Sequence, residues 1–282
     1  MNIVIENITV PGPHGAVPVR TYTPRQPCGD ALLWLHGGAF FKGDLDIPEA
    51  DAVSRELAAA GIAVASVDYR LAVNGVHFPV PGDDVDAAWR WATAGATLGI
   101  AASRWHLGGA SAGANLAAAA ALRARDTGLP AAASLVLVYP VMHDVLPPPS
   151  PSLQARLAEL PEDQRFPLHL CDELNLNYVG DAALLKHPYA FPAHGVLTGL
   201  PPTLIVNAEV DDLRPSGEEF AALLARAGVD TAVVREPGTQ HGYLNGALPA
   251  TTQTISRIVD WIVVNALRVT RHADATAATA AR

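Results

Sequence analysis

The sequence predicts an α/β protein: a mostly parallel central sheet with helices on both faces and a small inserted cap. Three observations carry that expectation. Almost wholly apolar runs recur at 31–35, 62–67, 135–139 and 203–206, and strands of that kind are covered on both faces, as in parallel sheets. Ala-rich stretches with helical spacing alternate with them, which is the order that βαβ units produce. One interruption of roughly fifty residues, between the third and fourth of these runs, is too long for an ordinary connection and reads as an insertion.

The elements follow in order. The first thirty residues hold two extended runs around a turn at 11–15 and predict an antiparallel edge hairpin. After the strand at 31–35 come a helix over 49–60, the strand at 62–67 and a helix over 83–94. A weaker strand at 105–107 leads into an Ala-rich helix at 112–125, then the strand at 135–139. The insertion, 143–195, opens with Pro147-Pro148-Pro149-Ser150-Pro151 and carries two amphipathic stretches, 153–160 and 168–179. The strand at 203–206, a helix over 216–227, a weaker strand at 231–235 and a helix over 251–267 complete the chain. Gly61, Gly128 and Gly228 each follow an apolar-periodic stretch and mark helix ends. The plan is therefore a core of 1–142 with 196–270, a cap of 143–195, and a disordered tail from Arg271, where no core-forming pattern remains.

Composition narrows the function classes. The chain has 282 residues, 50% of them hydrophobic and 17% charged, enough for one large domain with a full core and unlike a disordered chain. Its formal net charge is −9, without a Lys/Arg cluster, so it should repel phosphate backbones and not bind nucleic acid. Two distant cysteines, Cys28 and Cys171, form neither a disulfide framework nor a zinc ribbon and fit a reducing compartment. The opening residues lack a basic region followed by an apolar one, and no apolar run is long enough to span a bilayer. The expectation is a cytoplasmic protein without a membrane association.

The chemistry-bearing residues begin with Gly109-Ala110-Ser111-Ala112-Gly113. This G-x-S-x-G pattern falls between a strand and a helix, where a strained turn projects the Ser111 hydroxyl beyond the sheet. The bland reading is a Gly-rich turn. With 9 serines and 23 glycines in the chain, chance supplies only ~0.06 such matches. A serine nucleophile needs a base, an orienting acid and an oxyanion hole. His36-Gly37-Gly38-Ala39-Phe40 directly follows the strand at 31–35, and its small residues let backbone N–H groups approach a developing O⁻. Of ten histidines, most lie ahead of the serine, in the insertion or in the tail. His241, between the last strand and last helix, remains as the base, although a loop histidine there could equally be a solvated polar residue. The acid should lie between Ser111 and His241 in this order of triad. Asp211 follows the strand at 203–206, where open α/β sheets gather their ligands. Asp211 is preferred over Asp212, one of the two being expected to cap the next helix. Asp68 and Arg70 read as a structural pair, the tryptophans as core or cap residues, and His187 and His194 lack a metal-binding arrangement.

These motifs, with Asp68-Tyr69-Arg70-Leu71-Ala72, Phe78-Pro79-Val80-Pro81, Asp211-Asp212-Leu213-Arg214 and His241-Gly242-Tyr243 in the same order, resemble the hormone-sensitive-lipase-like, bacterial family IV esterases of the α/β-hydrolase superfamily. The resemblance covers nearly the whole chain. It implies the α/β-hydrolase fold, Ser111 as nucleophile, Asp211 as acid, His241 as base, and backbone oxyanion donors at Gly38, Ala39 and Ala112. It implies a serine carboxylic-ester hydrolase working through an acyl-enzyme, with no metal or organic cofactor. The partner is a small-molecule ester, with a homodimer left open. An amidase or arylformamidase using the same triad is the alternative within the class, and a non-catalytic ligand receptor the alternative outside it. Two departures stand out. Ala39 occupies the usual third Gly of HGGG, and Ala110 replaces the acidic residue common before the nucleophile. Because the chain opens on a strand where the family commonly has cap helices, only 143–195 is left to cover Ser111, and short acyl chains are the expected substrates.

Overall fold

The structure is a computed structural model and describes residues 3–280. The expected edge hairpin is β1 (Ile3–Gly12) against β2 (Gly15–Pro24), antiparallel from Ile3↔Pro24 to Gly12↔Gly15. Beyond it lie β3 (Ala31–Leu35), β4 (Ala63–Val67), β5 (Trp105–Ala110), β6 (Leu135–Val138), β7 (Thr203–Val210) and β8 (Thr231–Gln240). They form one eight-stranded sheet in the order β1-β2-β4-β3-β5-β6-β7-β8. β2 pairs antiparallel with β4, and every pairing from β4 onward is parallel.

Both faces of the central strands β3 to β7 are covered, which is why their runs are apolar without alternation, whereas β1, β2 and β8 carry exposed residues. All five residues of β3 are fully buried. Leu33 and Leu35 point into the cluster that also holds α2 (Val80–Thr93), α3 (Ala112–Thr127) and α6 (Arg214–Arg226). Leu32 and Trp34 point the other way, toward α1 (Asp51–Ala59) and α7 (Pro249–Ala280). Gly128, with φ 70°, ends α3 in the left-handed conformation that terminates helices.

The chain order makes a crevice. From β3 the chain passes through α1 to β4 on one side, whereas from β5 it passes through α3 to β6 on the other. Loops that diverge from neighbouring carboxyl ends leave a gap between them, the switch point where open α/β sheets bind ligands. The β6–β7 connection contains α4 (Pro151–Leu157) and α5 (Leu168–Val179) and reaches over that gap. Its two necks are tied together: buried Asp144 accepts from His194 at 2.6 Å and pairs with Lys186 at 2.8 Å.

Several boundaries differ from expectation. β5, β7 and β8 each extend further than their apolar runs, because ladder hydrogen bonds continue through Gly108, Gly109 and polar residues. α1 starts at Asp51, leaving Glu49 ahead of the helix. The stretch from Arg271, expected to be disordered, continues α7 as helix to Ala280. Its Ala-rich composition has high helix propensity, and extending an existing helix avoids the cost of nucleation. The last two residues of that expected tail lie outside the described residues. Arg70 pairs with Asp84 through both its backbone N–H, at 2.9 Å, and its guanidinium, at 2.5 Å, and not with Asp68. No helix among the described residues is long and apolar enough to cross a membrane.

Candidate active site

Ser111 sits at the abrupt change from β5 to α3, with φ 53° and ψ −117°, a conformation that costs a non-glycine residue energy and persists only when its surroundings enforce it. The enforcement is visible. The Ser111 N–H donates to the Val138 carbonyl of β6 at 2.9 Å. A Cβ on Gly113 would lie 2.2 Å from the Leu35 carbonyl oxygen, and one on Gly109 would lie 2.5 Å from the Gly113 backbone. The two glycines of the motif are there because α3 passes this close to the end of β3.

The structure brings Ser111, His241 and Asp211 into one hydrogen-bonded line. Ser111 Oγ is 2.9 Å from His241 Nε2, and His241 Nδ1 is 2.8 Å from Asp211 Oδ2. The other Asp211 oxygen accepts the Leu213 N–H at 2.9 Å, so the carboxylate is fixed from two sides. His241 directly follows β8, and Asp211 directly follows β7. The rings of Phe166 and Tyr139 meet the His241 imidazole edge-on at 4.8 and 4.9 Å. Burial, the largest influence on His241, depresses its pKa, but the Asp211 carboxylate outweighs it with help from Glu49 and Asp212, and the net direction is upward.

Asp212 has a different job from its neighbour. It does not cap α6, which has no side-chain cap, but holds Arg165 at 2.8 Å and the Phe166 N–H at 2.9 Å. Both partners belong to the β6–β7 insertion.

The His36-Gly37-Gly38-Ala39 turn lies opposite. Gly38 has φ 123°, and a Cβ there would fall 1.9 Å from the Lys42 carbonyl oxygen, so no other residue fits. Ala39 has φ 51°, a positive value that glycine adopts freely and alanine only at a backbone cost. Among the described residues the Gly38 and Ala39 N–H groups have no acceptor, while Gly38 O receives the Phe41 and Lys42 N–H groups. Ala112 opens α3, where first-turn N–H groups have no intrahelical partner. Donors of this kind can stabilise an anion. His36 itself is buried, stacks on Tyr69 with ring centroids 4.5 Å apart, and donates through Nδ1 to the Gly37 carbonyl at 2.7 Å. Burial lowers its pKa, so it is a neutral structural group.

Ser111 lines two neighbouring spaces. One is a cleft of about 630 Å³ lined by Gly38, Ala39, Phe41, Ile47, His241 and residues of the insertion. The other is a chamber of about 20 Å³, walled by Phe40, Val141, Cys171, Leu174 and Leu213. Trp34, Trp89 and Trp105 are core residues, fully buried. No cluster of His, Cys, Asp or Glu among the described residues could hold a metal ion.

Sequence reading did not single out Glu49, Tyr139, Asn245 or Arg165 as part of this neighbourhood. A lone Glu ahead of a helix, or an Arg in an irregular stretch, carries no spacing signal.

A mostly parallel sheet with a serine on the turn after its fifth strand, facing a histidine and an aspartate from later strand ends, defines an α/β-hydrolase. A family profile described as alpha/beta hydrolase fold matches residues 32–245. Carboxylesterase NlhH of Mycobacterium tuberculosis is 36% identical over 86% of this chain and 76% of its own length. Esterase LipI of the same organism is 33% identical over 90% of this chain and 79% of its own. Among solved structures, a hyperthermophilic esterase from the archaeon Pyrobaculum calidifontis superposes with a TM-score of 0.82 at 33% identity, covering 94% of this chain and 84% of that one. The chain belongs to the hormone-sensitive-lipase-like esterases of the α/β-hydrolase superfamily.

Proposed function

We propose that the protein is a serine carboxylic-ester hydrolase for short-chain acyl esters, with Ser111, His241 and Asp211 as its triad. The observation that carries this reading is the continuous line from Ser111 Oγ through both nitrogens of His241 to Asp211. Ser111 attacks the ester carbonyl while His241 Nε2 takes its proton, and Asp211 fixes the tautomer and stabilises the imidazolium. The carbonyl oxygen becomes an oxyanion held by the Gly38, Ala39 and Ala112 N–H groups. The alcohol leaves with the proton from His241. Water activated by the same histidine then cleaves the acyl-enzyme.

The segment 143–195 serves as the cap over a core of 1–142 and 196–270. What supports short acyl groups is the chamber beside Ser111: about 20 Å³ is on the order of one water's share of a cavity. The wider cleft then takes the alcohol portion. The test is a stopped-flow burst with an activated acetyl ester. One equivalent of alcohol per chain, lost in Ser111→Ala with the fold intact, is the expected result. Turnover near the wild-type rate in Ser111→Ala would remove the serine from the mechanism.

A further inference from the structure

Behind the oxyanion turn lies a carboxyl group that the mechanism above does not use. Glu49 precedes α1 and is 2% exposed. Its Oε1 accepts the Gly37 N–H at 2.5 Å, and its Oε2 accepts the Tyr139 hydroxyl and, at 3.4 Å, the Asn245 amide. The main chain of Glu49 is fastened as well. Its N–H donates to Asn245 Oδ1 at 3.1 Å, and its carbonyl accepts from Trp34 Nε1 at 2.9 Å.

Each partner belongs to the site. Gly37 immediately precedes the Gly38 and Ala39 N–H groups, and a Cβ on it would touch Glu49 Oε1 at 2.6 Å and the Ser111 Cβ at 3.1 Å. Tyr139 follows β6, packs its ring on His241, and is anchored by its own N–H to Val206. Asn245 lies four residues after His241 and lines the cleft. One carboxyl group therefore links the turn after β3 to the histidine loop and to the end of β6. Ala110, beside the nucleophile, supplies no carboxylate for this purpose.

We infer that Glu49 is a positioning residue that fixes the Gly37 peptide, and through it the Gly38 and Ala39 donors, in register with Ser111 and His241. The inference rests on the triad reading given above. Orientation of this kind matters because oxyanion donors act at full strength only where charge develops in the transition state, and small misplacements are costly. Burial pushes the Glu49 carboxyl up, with Tyr139 and Gly37 drawing it back down. All three donors to the carboxyl are neutral, so their geometry, not an ion pair, holds it.

The decisive variant is Glu49→Gln. The amide nitrogen cannot accept, so either the Gly37 N–H or the Asn245 amide loses this acceptor, and in the latter case the Tyr139 hydroxyl must turn from donor to acceptor. In kinetics normalised to burst-titrated sites, kcat should fall about 10- to 100-fold with KM little changed. The affinity of an alkyl boronic acid, which forms a tetrahedral adduct with the serine, should weaken in parallel. A merely structural role would lower the melting temperature and the competent fraction while leaving kcat per site and boronate affinity intact, and that outcome overturns the inference. Should Glu49→Gln not fold, Tyr139→Phe retains the Gly37 contact and removes the hydroxyl that orients the carboxyl. A kcat loss of about 3- to 10-fold supports the inference, and an unchanged kcat overturns it. Absence of ester turnover in the wild-type protein would overturn the functional reading and this inference together, whereas wild-type turnover with an unaffected Glu49→Gln overturns this one alone.

Discussion

Asp212 grips Arg165, Oδ1 to Nη2 at 2.8 Å, and so ties the insertion that roofs the cleft to the loop that carries Asp211. The same carboxylate receives the Phe166 N–H, and the Phe166 ring lies against His241. Adjacent aspartates thus divide two tasks: Asp211 orients the histidine, and Asp212 docks the roof.

That division gives the first prediction. Asp212→Asn and Arg165→Ala should each raise KM several-fold and leave kcat within about threefold, since a roof contact contributes to binding equally in ground and transition states. The ion pair is partly exposed, with side chains 28% and 10% accessible, so the stability cost should be small. Steady-state kinetics on a short acyl ester checks it. A loss of kcat by orders of magnitude in Asp212→Asn would make Asp212 the acid.

Asp211→Asn should behave differently. By analogy with the serine-protease triad, an amide at this position leaves the geometry in place and lowers kcat by on the order of 10⁴, because the histidine is held in the wrong tautomer. An effect no larger than that of Asp212→Asn would exclude the role.

The pH profile follows from the direction of the His241 shift. Only neutral imidazole accepts the serine proton, so kcat/KM rises as His241 deprotonates. Its pKa is raised by the net effect of the surrounding carboxylates, which keeps the proton on to higher pH. The acidic limb should therefore have its midpoint above the ordinary histidine value of ~6.5. Asp211→Asn, which removes the strongest raising influence, should move the residual limb toward acid. A profile flat between about pH 5 and 8 would argue against a histidine base.

Acyl selectivity tests the two spaces beside Ser111. Each buried CH₂ contributes roughly 0.8 kcal/mol, but the chamber walled by Val141, Cys171, Leu174 and Leu213 offers only about 20 Å³. Acetyl esters should therefore be favoured, hexanoyl esters should be poorer, and dodecanoyl esters should show a kcat/KM far below the optimum. Leu174→Ala, which opens the wall, should shift the optimum toward longer chains. A kcat/KM that climbs steadily through dodecanoyl in the wild type would mean that the chain runs along the wide cleft.

Local order was enough for most of the fold. Apolar runs covered on both faces, the glycines at 109 and 113, and the turn at 36–39 are short-range patterns, each set by what the backbone at that place must do. The motifs that carry Ser111, Asp211 and His241 were legible because each follows a strand candidate, although β5, β7 and β8 run on past the ends their apolar runs show. Tertiary structure alone decided the rest. Glu49 and Tyr139 are 90 positions apart, and Arg165 and Asp212 are 47 apart, so no periodicity or spacing links them. The positive φ of Ala39 and the Lys42 carbonyl folded over Gly38 are likewise properties of the folded turn. Arg70 found Asp84 across the α2 surface in preference to its near neighbour Asp68. Side chains choose such partners by proximity after the sheet has formed, and proximity is fixed by topology.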